Sequence, residues 1–356
     1  MCIYEENGWR LCGCLLDLCL LPLVCTTGLV LNIACLLVFF SNSHHPLVPA
    51  LIVLSVSDCL QLLFSFFVLF LPALHDFTGA PPHGILGQLA YLATGLLSPL
   101  LLTFNCASIW TICYISVQRH KAILRPLTNM HSPQKPFKPL IFICILALLF
   151  NICKWMEFRW FYIEVDTNST EPYQFLAHEQ SELALNEHYR RILDNILYPV
   201  MVYLIPLLLL SVLNFRILTN ISSRRIAFDH KSRLAQERRS VTLLISIVTM
   251  FFLCHTGGLA IRFIDESKFT NIELYVLLKD VINLLFNISS LANPMLYFLF
   301  TRQFRDLRTI LHSHFASPAS RSESYVNNPQ VKLSTSSNNI RPHFYRSPCS
   351  SGRLLY

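Results

Sequence analysis

Residues 115–127 read ISVQRHKAILRPL. A long, mostly apolar run leads into this stretch, and Arg119, His120, Lys121 and Arg125 follow in quick succession. About 20 apolar residues carry a helix across a bilayer. Lys and Arg gather where such a helix emerges on the cytoplasmic side. The stretch therefore reads as the inner end of a transmembrane helix, with Arg119 at the join.

Working outward, the whole chain has this character. Of 356 residues, 53% are hydrophobic and only 14% charged, and the mean hydropathy is +0.47. A soluble protein carries about a quarter charged residues. Seven apolar runs of membrane length occur, near 13–40, 47–72, 88–118, 139–161, 196–219, 240–264 and 274–300. The expectation is an all-α membrane protein, a seven-transmembrane helix bundle. Residues 1–12 form a short N-terminal segment, 13–300 the bundle, 301–315 a short amphipathic helix and 316–356 a disordered tail. The connections leave no room for a soluble domain, the longest being 162–195. The run after Arg10 is too long for a signal peptide and reads as an uncleaved first span.

Charge sets the orientation. Lys121, Arg125, Lys135 and Lys138 follow the third run. Arg216, Arg224, Arg225, Lys231, Arg233, Arg238 and Arg239 follow the fifth, and Arg302, Arg305 and Arg308 the seventh. The connection after the second run has no Lys or Arg, and the one after the fourth is acidic. Basic residues inside place the N-terminus outside and the tail in the cytoplasm. The net charge of +7 is thus a topology signal. The basic residues flank spans and line no groove, so nucleic acid is not an expected partner. The sequon at Asn168 falls in the external loop and is a glycosylation candidate.

Polar groups inside a bilayer are costly and mark function or helix-to-helix contacts. Here they are Asn32, Asp58, Ser108, His255, Asn287, Ser289, Ser290 and Asn293. Asp58 needs a cation, a proton or several donors; it reads either as neutral glue between helices or as an ion-linked switch. Pro294 and Pro206 free backbone carbonyls and loosen their helices. Arg119 reads either as a snorkelling interface residue or as a buried cation paired with Glu237 in the clamp of a two-state switch.

Together GLVLN (28–32), LSVSD (54–58), QRH (118–120), the proline in run five, NPMLY (293–297) and TRQFRDL (301–307) resemble a rhodopsin-like G-protein-coupled receptor over about residues 13–312. A finer likeness is to invertebrate FMRFamide-type neuropeptide receptors. It is carried by SIWTICYISVQRHKAILRPL (108–127), LLFNICKWMEF (148–158), NFRIL (214–218), FFLCHTGG (251–258) and LLKDVINLLFNISSLANPMLYF (277–298). The resemblance implies that Arg119 is the switch arginine, Glu237 its resting partner and Tyr297 the tyrosine that turns inward, acting with Asn293 and Pro294. It implies that Leu127 docks on the Gα subunit. It also implies that Asp58, Ser108, Ser290 and Asn293, beside Asn32, form a pocket for an allosteric sodium ion, with no other metal or cofactor.

Three departures stand out. Gln118 replaces the usual Asp before the arginine, which removes a local ion pair. His255 replaces the tryptophan toggle of span six, and Gly257 its proline. The disulfide that ties the top of span three to the second external loop is missing: Thr94 stands at the span-three position. Cys2, Cys12, Cys14 and Cys153 remain as external candidates for other pairings.

The acidic outer loop and Glu157 suit a cationic ligand such as a peptide ending in Arg-Phe-amide. Its pocket is expected between the outer halves of spans three, five, six and seven, with Tyr203, Lys279 and Asp280 as candidates to line it. Expected partners are a heterotrimeric G protein, arrestin and a receptor kinase acting on the serine-rich tail, and membrane lipid under the 301–315 helix. No P-loop, HExxH or nucleophile elbow is present, so no enzyme is expected. The alternatives are a chemosensory receptor for a small molecule and, more distantly, a transporter or channel. No internal repeat supports the duplicated halves of a transporter.

Overall fold

The apolar runs fold into helices that bury their polar residues against one another. The computed structural model describes residues 8–41, 47–124, 137–165, 173–224, 231–263 and 271–300. Six helices are long and apolar enough to cross a membrane: α1 (Leu11–Ser41), α2 (Val48–Thr78), α3 (Ile85–Ala122), α4 (Phe137–Glu157), α5 (Glu187–Ile217) and α7 (Ile272–Phe298). Between the last two, α6 (Lys231–Arg262) carries the apolar segment Ile245–Ile261 and completes the bundle of seven. The helix expected at 301–315 and the tail at 316–356 lie outside the described residues.

Helix α3 packs against α2, α4 and α5, while α7 packs against α1, α2 and α6. The central core joins Phe39, Leu54, Ile109, Leu210, Phe251 and Tyr297, all essentially inaccessible.

Proline shapes these helices in a regular way. Among the described residues five turns are wound as π-helix: Leu16–Leu20, Phe66–Phe70, Ala93–Leu97, Leu193–Leu197 and Pro199–Leu204. Each ends two residues before a proline, namely Pro22, Pro72, Pro99, Pro199 and Pro206. A proline ring clashes with the carbonyl four residues back and cannot donate to it. Widening the preceding turn relieves this: Leu21, Tyr198 and Ile205 donate their N–H groups five residues back, to Leu16, Leu193 and Val200. Pro206 therefore sits in a widened, continuous helix. Pro294 lies inside a helix that runs unbroken over Ile272–Phe300.

The fourth run is corrected at its end. The sequence extends it to 161, but the helix stops at Glu157, and Phe158–Val165 (β1) pairs antiparallel with Tyr173–Gln180 (β2). Aromatic residues prolong the apolar run there, but from a strand: Trp160 lies against Gly95 of α3, whereas Tyr162 is exposed. The connection expected over 162–195 starts earlier, at Phe158, and also ends earlier, because α5 begins at Glu187. It holds β2, one turn at Glu182–Leu185, and the start of α5, where the Asn186 side chain caps the N–H groups of His188 and Tyr189.

Candidate functional site

Four helices meet at Asp58, which is fully buried. Ser108 of α3 donates its hydroxyl to one carboxylate oxygen at 2.6 Å. The Asn293 amide of α7 donates to the other at 2.8 Å, and Ser290 supplies a further side-chain hydrogen bond. Asn32 of α1 donates to the Gly28 and Ser290 carbonyls. The polar residues picked from separate runs are thus one constellation. Its donors answer the cost of burying a carboxylate. One buried acceptor, Asn32 Oδ1, has no hydrogen-bond partner.

Towards the far end of α3, Arg119 is half-buried beside the half-buried Gln118. Tyr297 lies close enough to Arg119 for the two to interact electrostatically. The Tyr297 ring is buried and meets Phe39 edge-on at 5.9 Å. Among the described residues Arg119 makes no ion pair. The expected partner Glu237 falls on α6, but its side chain lies outside the described residues, as do Leu127 and Asn168.

At the other end of α6, His255 is buried in an aromatic stack. Its ring lies 4.5 Å from Phe251, 5.0 Å from Phe286 and 6.1 Å from Tyr203. Its Nδ1 has no hydrogen-bond partner. Gly257 and Gly258 create the room for this contact between α6 and α7. A Cβ on Gly258 would stand 2.4 Å from the Phe286 ring, and one on Gly257 3.2 Å from Ile282. The glycines serve close packing inside a continuous helix.

Two cavities open at the end of the bundle that carries the hairpin. One, of about 690 Å³, lies between α1, α2 and α7, and Asp17, Asp76, Glu273 and Asp280 line it without any Lys or Arg. Asp76 is bonded to His75. Asp17 and Asp280 come from different helices, close enough to repel each other. Gly13 makes that approach possible, since a Cβ there would lie 3.2 Å from Asp280 Oδ2. The other, of about 360 Å³, lies between α5, α6 and α7 and holds Tyr203 and Lys279.

The expected ligand residues are therefore divided between two sites. Tyr203 and Lys279 line the smaller cavity, Asp280 the larger. Glu157 lines neither: Lys154 donates to it at 2.7 Å and the Tyr189 hydroxyl at 2.8 Å. Lys154 also holds Asp194 at 2.6 Å, so the two carboxylates of this corner share one lysine. Asp17 escaped the sequence reading, although it is a carboxylate inside an apolar run, the same signal that singled out Asp58.

Cys12 and Cys153 are free, and Cys14 is disulfide-bonded. Thr94 donates to the Ala90 carbonyl at 2.9 Å.

A bundle of seven helices around a buried Asp–Ser–Asn centre, with an arginine at one end of α3 and cavities at the other, is the architecture of a signalling receptor. The profile of the family described as 7 transmembrane receptor (rhodopsin family) matches residues 31–297. The chain belongs to that family: it is a transmembrane receptor, not an enzyme. Comparison with curated proteins gives no match.

Proposed function

We propose that this receptor binds an amidated, cationic neuropeptide of the Arg-Phe-amide type at the hairpin end and activates a heterotrimeric G protein at the Arg119 end. In this reading the receptor sits in the plasma membrane with its N-terminus outside, Asn168 carries glycan, and the phosphorylated tail binds arrestin. The single observation that carries the ligand assignment is the larger cavity. It is roomy enough for a side chain and its neighbours, and Asp17 and Asp280 converge there on one region. Two such carboxylates favour a guanidinium or ammonium between them, because a cation removes their mutual repulsion. Leu18, Val276 and Leu277 beside them suit an aromatic ring.

The buried centre fits a sodium ion. Its donors are hard oxygens, the Asp58 carboxylate with the Ser108 and Ser290 hydroxyls, and Asn32 supplies an unpaired buried acceptor in the same cluster of helices. The ion would add positive charge beside Asp58 and hold α2, α3 and α7 together. Arg119, with Tyr297 beside it and no ion pair among the described residues, is the group available to a partner at its end of the bundle.

The test is G-protein activation in cells with verified surface receptor, scanned with amidated peptides including Arg-Phe-amides. A saturable response is expected, silenced by Arg119→Ala. Asp17→Asn and Asp280→Asn should each lower potency about ten-fold or more, since a hydrogen bond to a charged group is worth about 1.5–3 kcal/mol. Equal potency for peptides with Arg replaced by citrulline would overturn the cationic assignment. Silence across the library would favour a small-molecule chemosensory ligand.

A further inference from the structure

The first turns of α1 carry two cysteines in different covalent states. Cys12 and Cys14 flank Gly13 in the helical segment Gly8–Leu15. Cys14 is disulfide-bonded, whereas Cys12 is an exposed free thiol. Two steps along a helix rotate the side chain by about 200°, so the pair points to opposite sides of α1. Cys14 lines the larger cavity with Gly13, Asp17 and Leu18. Cys12 does not; it falls at helical spacing with Leu15 and Cys19, both exposed. A chain bonded to one sulfur therefore meets a different face of the helix from a chain bonded to the other.

We infer that Cys12 and Cys14 are alternative anchors for one disulfide, and that thiol–disulfide exchange between them moves the bonded chain on and off the edge of the larger cavity. The step balances within the protein. The Cys12 thiolate attacks the sulfur bonded to Cys14. A bond forms from Cys12 Sγ to that sulfur, and the bond to Cys14 Sγ breaks. Cys14 leaves as a thiolate and takes up the proton that Cys12 gave up. One disulfide exists before and after, so nothing is oxidised or reduced overall and no co-reactant is needed.

The local sequence suits this step. Attack from two residues away is intramolecular, at an effective concentration on the order of millimolar. The sulfurs meet only if the turn between them opens, and a glycine weakens a helix at that point. The turn that follows, Leu16–Leu20, is wound as π-helix. Gly13 also lies where α1 meets the acidic wall, since a Cβ there would stand 3.2 Å from Asp280 Oδ2. With the bond on Cys14 the cavity edge carries the disulfide. With the bond on Cys12 that edge is cleared and carries a thiol. The consequence for ligand entry rests on the reading of this cavity as the ligand site; the exchange itself does not.

The test uses full-length receptor purified without reductant into lipid nanodiscs. Samples are held at mildly alkaline pH, which raises the thiolate fraction, and then blocked with N-ethylmaleimide. After denaturation and reduction the remaining cysteines take iodoacetamide, and mass spectrometry reads each position. Before incubation Cys12 should carry maleimide and Cys14 acetamide. After it, a second population should carry the two labels exchanged. In Cys14→Ser the bond should pass to Cys12, which then takes acetamide. In Cys12→Ser the second population should vanish. Cys12 carrying maleimide in every wild-type molecule after incubation would overturn the exchange, and so would Cys12 carrying only maleimide in Cys14→Ser. The wild-type map decides even if a variant fails to fold. In the peptide screen Cys14→Ser should respond with several-fold higher potency than Cys12→Ser, and equal potencies would overturn the effect on the cavity. Silence across the screen counts against the peptide reading and leaves the label map as it stands.

Discussion

The two ends of α3 are held by opposite means. At the hairpin end the helix is fastened at three points. Trp160 of β1 lies against Gly95 so closely that a Cβ would meet its ring at 2.4 Å. The Gln88 side chain donates to the Leu176 carbonyl at 3.1 Å and accepts its N–H at 3.0 Å, as a neighbouring strand would. The Trp155 indole N–H donates to the Leu96 carbonyl at 3.1 Å. At the other end, Arg119 has Tyr297 beside it and no ion pair among the described residues. Most members of the family tie the hairpin end with a disulfide. Here Thr94 takes the span-three position and packing with hydrogen bonds does the fastening. The difference separates an end built as a fixed platform for the cavities from an end where, among the described residues, the cation makes no ion pair. A platform can be made without a covalent bond if a glycine lets a large ring sit against the helix.

The sharpest way to break this comparison is to fill the space at Gly95. Gly95→Val should lower the melting midpoint and loosen the hairpin, because overpacking a rigid contact costs about 1–3 kcal/mol. That outweighs the helix propensity gained on leaving glycine, a few tenths of a kcal/mol for a residue such as Val. An unchanged midpoint would show that Trp160 has room to move and that the clamp lies elsewhere. A smaller effect is expected from Gln88→Ala, which removes two hydrogen bonds to Leu176 and one to the Pro82 carbonyl, none fully buried and each worth about 0.5 kcal/mol net. Limited proteolysis of β1 and β2 should quicken, with Arg119-dependent signalling retained once ligand is bound. A loss of signalling equal to that of Arg119→Ala would mean that the two ends are not separable.

Much of this was readable from residue order. The apolar runs marked the spans, and the lone carboxylate at 58 led to its partners, because a buried charge must have them. The end of α4 was not readable by the same rule. Phe158, Trp160, Phe161 and Tyr162 continue the hydrophobicity of the run, and apolar content does not distinguish a helix in lipid from a strand against a helix. Alternation with Arg159 and Glu164 was the weak signal. The position of the acidic cavity was hidden for another reason: Asp17 and Asp280 are far apart in sequence, and only the neighbouring of α1 and α7 brings them together. Prolines announced irregular helices. That the irregularity is a widened turn two residues before the ring follows from hydrogen-bond geometry and is not written in composition.

The mildest test concerns His178, which sits in the clamp at the register position of Trp160. Its ring is edge-on to Phe158 at 5.0 Å, Trp160 at 5.3 Å and Tyr91 at 5.6 Å, and its buried Nε2 has no hydrogen-bond partner. Burial pushes its pKa below the ordinary 6.5, and a backbone hydrogen bond at Tyr91 offsets part of that. The nearest carboxylate in sequence, Glu179, is exposed, opposite Arg159 in the ladder. A histidine depressed in this way binds its proton more readily when the hairpin is undocked. Docking is therefore complete above the ordinary pKa and weakens as pH falls through it towards the lower, docked value. Hairpin proteolysis should quicken between about pH 7.5 and 5.5, the range that brackets an unperturbed histidine, and His178→Phe should flatten the response. If the variant keeps the full pH dependence, the proton is taken up elsewhere and the aromatic contacts at Gly95 hold the hairpin without help from a neutral ring.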